Sequence, residues 1–379
     1  MSLEEYRIAS VIFVLGCYGI SLLLCFFQLT HKQSKILIFA LILINCVISA
    51  NRPYISPDTS TYIRAFDESL IIANSSNLNG LRDIFFNREY YSMEMPFILL
   101  MALFKKLGLS IKVFFGAISF TTSLTTIIGL HNCSGYIIKE RSVIRNTAAT
   151  DTIMWYLYMA FCGILYTSTA IRAGLCIGLG LCAFGLIINN KKHILALFLF
   201  ISAILFHSVG VLFIFIYMLF VLAPTKITRG HCIIAVGLSS VAYGLGLCTL
   251  TSVYAIKAAR EILGIFKINA FSSYTYTLLF SFRLKILFYI VGVGTLLILS
   301  YKPGKNASRM AFLAIIGILI YSFGSEIGAI HRVSDYFILM LIPIMGTSLL
   351  EEREAVNFSS LSIMGSILIF ISQYMMIFG

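Results

Sequence analysis

The sequence predicts an all-α, polytopic integral membrane protein, and three observations carry that reading. Mean hydropathy is +0.94, with 59% hydrophobic and only 12% charged residues. Apolar runs of about 15 to 25 residues recur along the whole chain, the length a helix needs to cross a hydrocarbon core. Leu, Ile and Phe fill those runs without the alternation of a strand, so a β-barrel is excluded in favour of helices that satisfy their own backbone hydrogen bonds. With six prolines and no low-complexity segment, residues 1–379 read as a single integral membrane domain.

Spans are expected near 8–28, 36–50, 113–138, 151–168, 171–190, 193–206, 208–223, 231–250, 283–301, 309–324, 333–350 and 359–378, about twelve in all. Residues 8–28 are too long, and lack the small-residue cleavage pattern, for a signal peptide. The short basic loop with Lys32 and Lys35 belongs to the cytoplasm, which places the segment after the second span outside. That external loop, 51–112, carries interfacial helices. Within it, 93–112 reads as an amphipathic helix lying in the outer interface, its Phe and Leu buried and its lysines snorkelling. Alternation then puts Lys139, Arg141 and Arg145 inside, Arg172 outside, and Lys191 and Lys192 inside. The stretch from His193 to Val221 is read as two short helices meeting near His207, because only a hairpin keeps Lys226, Arg229, Lys302, Lys305 and Arg309 inside. Residues 251–282, with Tyr254, Tyr274 and Tyr276, become a second external loop, and Glu326, His331 and Arg332 also face outward.

The formal net charge of +12 therefore marks cytoplasmic loops and anionic headgroups; with no basic stripe on a soluble domain, nucleic acid is not an expected partner. The nine cysteines, Cys17, Cys25, Cys46, Cys133, Cys162, Cys176, Cys182, Cys232 and Cys248, lie in or beside apolar runs with no C-x-x-C and read as small buried hydrophobes. The histidines are dispersed, and no H-E-x-x-H or carboxylate cluster points to a metal. No cofactor is expected.

Polar residues that interrupt apolar sequence are the candidate site, since a charge at a span centre costs about 2.5 to 3.5 kcal/mol and is kept by pairing or by function. In Arg52-Pro-Tyr-Ile-Ser-Pro-Asp58-Thr-Ser-Thr-Tyr62, the turn at Pro57 starts a helix on which Asp58, Tyr62 and Phe66 share a face. Asp58 either caps that helix or takes a proton from a sugar hydroxyl at the membrane surface. Arg172 stands where one helix turns into the next; it either snorkels to headgroups or offers its planar fork to phosphate oxygens. His207, in Phe206-His207-Ser208, is either a packed, hydrogen-bonded core histidine or a base. Glu326-Ile-Gly-Ala-Ile-His331-Arg332-Val-Ser-Asp335-Tyr336 sets Arg332 and Tyr336 on one helix face, with Glu326 or Asp335 able to neutralise the arginine.

With these residues the chain resembles the EpsG family of bacterial polysaccharide polymerases, the Wzy-like proteins. That family shows an external D-x-x-x-Y loop, an arginine followed by small and apolar residues, an F-H-S step in a hydrophobic run and a late R-x-x-x-Y. Here they stand in the same order as Asp58 to Tyr62, Arg172, Phe206-His207-Ser208 and Arg332 to Tyr336; Ala173 departs from the glutamine more common after the arginine. The resemblance implies a fold similar to the GT-C membrane glycosyltransferases. It also implies metal-independent polymerisation of undecaprenyl-pyrophosphate-linked repeat units into O-antigen of lipopolysaccharide, capsule or exopolysaccharide, at the periplasmic face of the inner membrane. On that reading Arg172 and Arg332 meet the pyrophosphates, Asp58 is base or positions the acceptor, His207 is the competing base, and Tyr62 and Tyr336 supply hydroxyls or stacking faces. Implied partners are the lipid-linked glycans, membrane lipids, a chain-length regulator and a flippase. Two rival classes remain: a flippase or secondary transporter, which should carry inverted repeats with broken helices that are not seen here, and an O-antigen ligase using similar chemistry.

Overall fold

Backbone hydrogen bonding closes within helices throughout, and there is no strand among the described residues, as a chain immersed in hydrocarbon requires. The computed structural model describes residues 2–26, 29–54, 58–75, 93–140, 147–247, 284–324 and 328–348, together with Thr251, Tyr254 and Lys257. The span expected at 359–378, nearly all of the loop expected at 251–282, and Arg141, Arg145 and Glu326 lie outside the described residues.

The helices are α1 (Leu3–Phe26), α2 (His31–Ala50), α3 (Thr59–Ser75), α4 (Met95–Lys106), α5 (Ile111–Ile138), α6 (Thr147–Tyr158), α7 (Ile171–Ile188), α8 (His193–Phe206), α9 (Leu212–Leu222), α10 (Arg229–Gly244), α11 (Leu284–Ser300), α12 (Lys305–Phe323), α13 (Gly328–Ile338) and α14 (Leu341–Ser348). Four of them, α2, α5, α7 and α12, are long and apolar enough to cross a membrane. The chain is thus an all-helical, multi-pass membrane protein; the expected dozen spans is a wider count than these four. Caps fix where helices begin: Thr30 and Gln33 form a capping box before α2, and the Ser110 hydroxyl accepts the Val113 N–H before α5.

At the centre stands α7, buried at every residue but Arg172 and Ile187. It packs on α5 so closely that a Cβ on Gly129 would lie 2.7 Å from the Cys182 backbone nitrogen, the small-residue contact by which membrane helices gain van der Waals packing. Polar bonds lace α2 to its neighbours: Asn45 Nδ2 donates to Ser119 Oγ at 3.3 Å, and Ser49 Oγ to the Thr167 carbonyl at 2.7 Å. Outward faces remain apolar, as at Ile194 and Phe198 of α8 and Ile233 and Leu238 of α10, all more than half exposed. Such surface is suited to lipid.

Phe213 and Phe220 of α9 meet Gly180 and Phe184 of α7 in the same order, so α9 runs alongside α7 and α8 runs back between them. The hairpin expected at His207 is present. His207 is extended (φ −158°, ψ 121°), and Gly210 seats so tightly on α8 that a Cβ there would approach the Ala203 carbonyl carbon to 2.8 Å.

Three segments depart from expectation in more than their end points. The 93–112 helix stops at Lys106, with Gly108 at φ +71° starting the turn into α5; Lys105 does not snorkel but donates to the Asp67 carbonyl on α3. The 151–168 span begins at Thr147 and loosens after Tyr158 into two π-helical turns, Met159–Gly163 and Leu165–Thr169, where the Ala170 N–H reaches the Leu165 carbonyl at 2.7 Å. Such insertions are common at functional sites. The 333–350 span is two helices, α13 and α14, because Pro343 has no N–H to give the Leu339 carbonyl and its ring would crowd it.

Candidate functional site

Helix ends build the site. Asn51 caps α2 and the chain leaves it through Arg52; α3 begins after Asp58; Glu94 precedes α4; the π-helical end of α6 hands over to Arg172 of α7; and the α8–α9 turn presents His207 and Ser208. Where hydrogen-bonding ladders stop, side chains and exposed backbone groups become available to one another.

Glu94 joins these ends. Its Oε2 takes the Arg172 Nη1 donor at 2.7 Å, and its Oε1 takes His207 Nδ1 at 2.9 Å and the Ser208 N–H at 3.2 Å. The side chain is 4% exposed. Burial alone would raise its carboxyl, but His207, Arg172 and the Ser208 N–H outweigh that and hold it at about 2. An ionised carboxylate only accepts, so Nδ1 of His207 carries the hydrogen and a neutral ring leaves its lone pair on Nε2.

Tyr62, 2% exposed, packs on Phe97 of α4 at 6.0 Å between ring centroids. The Arg172 guanidinium lies 5.9 Å from its ring and that of Arg52 5.5 Å, within cation–π range. Arg52 is 6% exposed, stacks 3.3 Å from the Phe115 centroid and donates to the Ser168 carbonyl. Its Nε and Nη2 find no acceptor among the described residues. Burial draws it down to about 10, still cationic at neutral pH.

Of the residues expected from sequence, Arg172 and His207 meet directly at Glu94, and Tyr62 joins them through the Arg172 guanidinium. Tyr336 is one step away: its hydroxyl reaches Cys176 Sγ at 3.8 Å, and that thiol reaches the His207 carbonyl at 3.8 Å. Arg332 is exposed one turn before Tyr336, near Asp335, whose carboxylate takes the Tyr166 hydroxyl at 2.8 Å. Asp58 is exposed, in the left-handed region at φ 61°, and close enough to Arg52 to act on its charge. Its carbonyl takes the Tyr62 N–H at 3.0 Å.

Glu94 was not anticipated. Its one sequence signal is a lone carboxylate in Ser92-Met-Glu-Met-Pro96, directly before an apolar run; the lysines at the other end of that run dominate the pattern. Arg52 is visible in the loop, but nothing in sequence tells that it is buried. Among the described residues no three His, Cys, Asp or Glu side chains gather as metal ligands.

A model of the EpsG family matches residues 35–378, a stretch that contains every residue of this site. No curated protein and no solved structure matches the chain.

Proposed function

The chain belongs to the EpsG family, whose membership points to a glycosyltransferase-like polymerase of polysaccharide biosynthesis, and on that premise we propose that it polymerises repeat units carried on undecaprenyl pyrophosphate, at the periplasmic face of the inner membrane. The observation that carries the reading is the Glu94 bridge, which holds an imidazole and a guanidinium together where helix ends meet. A base and a cation are what transfer from a pyrophosphate requires.

An acceptor hydroxyl oxygen bonds to the anomeric carbon of the growing chain while the bond from that carbon to the pyrophosphate oxygen breaks, and the lipid pyrophosphate leaves with the electron pair. The hydroxyl proton passes to His207 Nε2. Glu94 orients the ring and stabilises the imidazolium that forms, as a carboxylate does behind a catalytic histidine. Arg52, Arg172 and Arg332 meet the charge growing on the leaving group through fixed N–H donors, so charge neutralisation needs no metal. The transition state is oxocarbenium-like, with Tyr62 and Tyr336 beside the sugars. Asp58, exposed at the entrance, positions the acceptor rather than deprotonating it. The fold is of the GT-C kind, the O-antigen, capsule or exopolysaccharide product is set by the sugars supplied, and a flippase and a chain-length regulator act alongside. Placement of Lys139, Lys191 and Lys226 away from the site, at the far ends of α5, α7 and α9, supports the outward orientation.

Purified protein incubated with a lipid-linked repeat unit should give a ladder of polymer without divalent metal, and His207→Gln should slow its formation by about two to four orders of magnitude. Transfer of single units onto a lipid A core acceptor without any ladder would make the protein a ligase; neither product, with movement of units across a vesicle membrane, would make it a flippase.

A further inference from the structure

At the end of the molecule opposite the Glu94 site, a groove of about 320 Å³ opens between α2 and α5. Phe39 of α2 and Leu124 and Ile128 of α5 form its flanks, and each is more than a third exposed on the outward surface. Both helices are long and apolar enough to cross the membrane, so the groove faces hydrocarbon along its length. From Leu124 to His131 it runs about 10 Å at the helical rise, the reach of the first methylenes of one fatty acyl chain.

Polar groups close one end only. His131 Nδ1 and Asp151 Oδ1 pair at 2.9 Å, and Lys35 lines the groove beside them. Lys191, from the α7–α8 turn, lies within electrostatic reach of the same histidine. The His131–Asp151 pair balances itself or leaves one negative charge, against two lysines. These four groups are therefore net cationic in either case, with ammonium groups on stems long enough to reach the headgroup layer.

We propose that this groove is a binding site for one anionic phospholipid of the inner leaflet, an acyl chain lying between α2 and α5 and the phosphate held by Lys35 and Lys191. The proposal does not depend on the polymerase reading. It commits to a phospholipid because the lining fits a flexible chain and the charge complements a phosphate at headgroup depth, where each lysine contributes about fivefold to anionic over neutral lipid binding.

The test titrates the purified full-length protein in detergent with phosphatidylglycerol and with phosphatidylcholine of identical chains, counting bound lipid by native mass spectrometry. Phosphatidylglycerol should bind more tightly by about 25-fold, the product of two lysines. Lys35→Gln, at an exposed position, should reduce that preference about fivefold, and Ile128→Trp, which fills the groove from its exposed flank, should remove the tight site for both lipids. Equal affinity for the two lipids in the wild type overturns the proposal. So does an undiminished preference in Lys35→Gln, competition by chainless glycerol phosphate as effective as the lipid, tighter binding of a polyprenyl phosphate, or a dimer in the same spectra with the groove covered by a second copy.

Discussion

At Glu94 one carboxylate fixes the state of its neighbours. Replacing it with Gln leaves a hydrogen-bonding side chain but removes the charge that orients and stabilises His207, so turnover should fall by about two to four orders of magnitude, the usual worth of general-base catalysis. His207→Gln should cost about as much and the double variant little more, because residues acting as a unit are not additive. Initial rates of ladder formation decide this, and a larger loss from Asp58→Asn than from His207→Gln would return the base to Asp58. Stability should follow the same carboxylate. Burial is overcome by His207 and Arg172, and the group sits at about 2 against an ordinary 4.5. Its contribution is therefore complete above pH 4.5 and lost as the pH falls toward 2. Thermal unfolding across that range should show the gap between wild type and Glu94→Gln closing as acid is added. Arg172→Lys loses the planar fork proposed to meet the pyrophosphate and should stop polymer formation with normal protein levels, and Arg332→Lys likewise on the proposed role. Arg52→Lys tests the buried donors directly. It keeps a charge but cannot stack on Phe115 or present Nε and Nη2, so KM for the lipid-linked donor should rise about tenfold or more with the protein still folded.

Helices position these residues mainly through how they end. The π-helical turns of α6 bring the Tyr166 carbonyl against the first turn of α7, where a Cβ on Gly174 would fall 1.9 Å from it. Backbone cannot yield as a side-chain tip does, so Gly174→Ala should destabilise by at least the 1–3 kcal/mol typical of overpacking, roughly, and lower the yield of monodisperse protein. Gly16→Ala, with nothing within 4 Å, is the matched control and should behave as wild type. At this scale the sequence was legible wherever apolar content alone defines an element. Starts and ends of α2, α5, α7 and α8 fall within a few residues of expectation, and the hairpin at His207 follows from loop charge. The π-helical turns left no sequence signal, since Met159 to Thr169 is apolar or small apart from Tyr166, and this segment packs on α2, α5 and α7 together. The break before α14 did carry one, Pro343, which the apolar content around it obscured.

For the molecule as a whole, orientation is the claim with most riding on it. Tyr54 and Lys192 are exposed and lie at opposite ends of the helices. Tyr54→Cys should react with an impermeant thiol reagent applied from the periplasm, and Lys192→Cys only after the inner membrane is opened. Reversed labelling would turn the site to the cytoplasm. Ser334 and Thr169, though near the same end as Tyr54, are buried and would report poorly. Cys17, Cys46, Cys133, Cys162, Cys176, Cys182 and Cys232 are buried or partly buried, which limits their reaction with the reagent.

By itself, the sequence determined the class of the protein, the order of its helices and most of its candidate chemistry, because hydrocarbon forces backbone hydrogen bonds inside apolar helices and lets few charges remain without reason. Arg172, His207 and Arg332 stand out for that cause, while Asp58, Tyr62 and Tyr336 stand out by spacing, Asp58 to Tyr62 in the loop after α2 and Arg332 to Tyr336 on one helix face. Which of them act together is a matter of three dimensions. Glu94 is separated by 78 residues from Arg172 and by 113 from His207, and no local pattern records that one carboxylate serves both. The packing of α4 against α3 and α8 carries it there, and the resulting burial leaves two Arg52 donors without an acceptor among the described residues while Asp58 stays exposed.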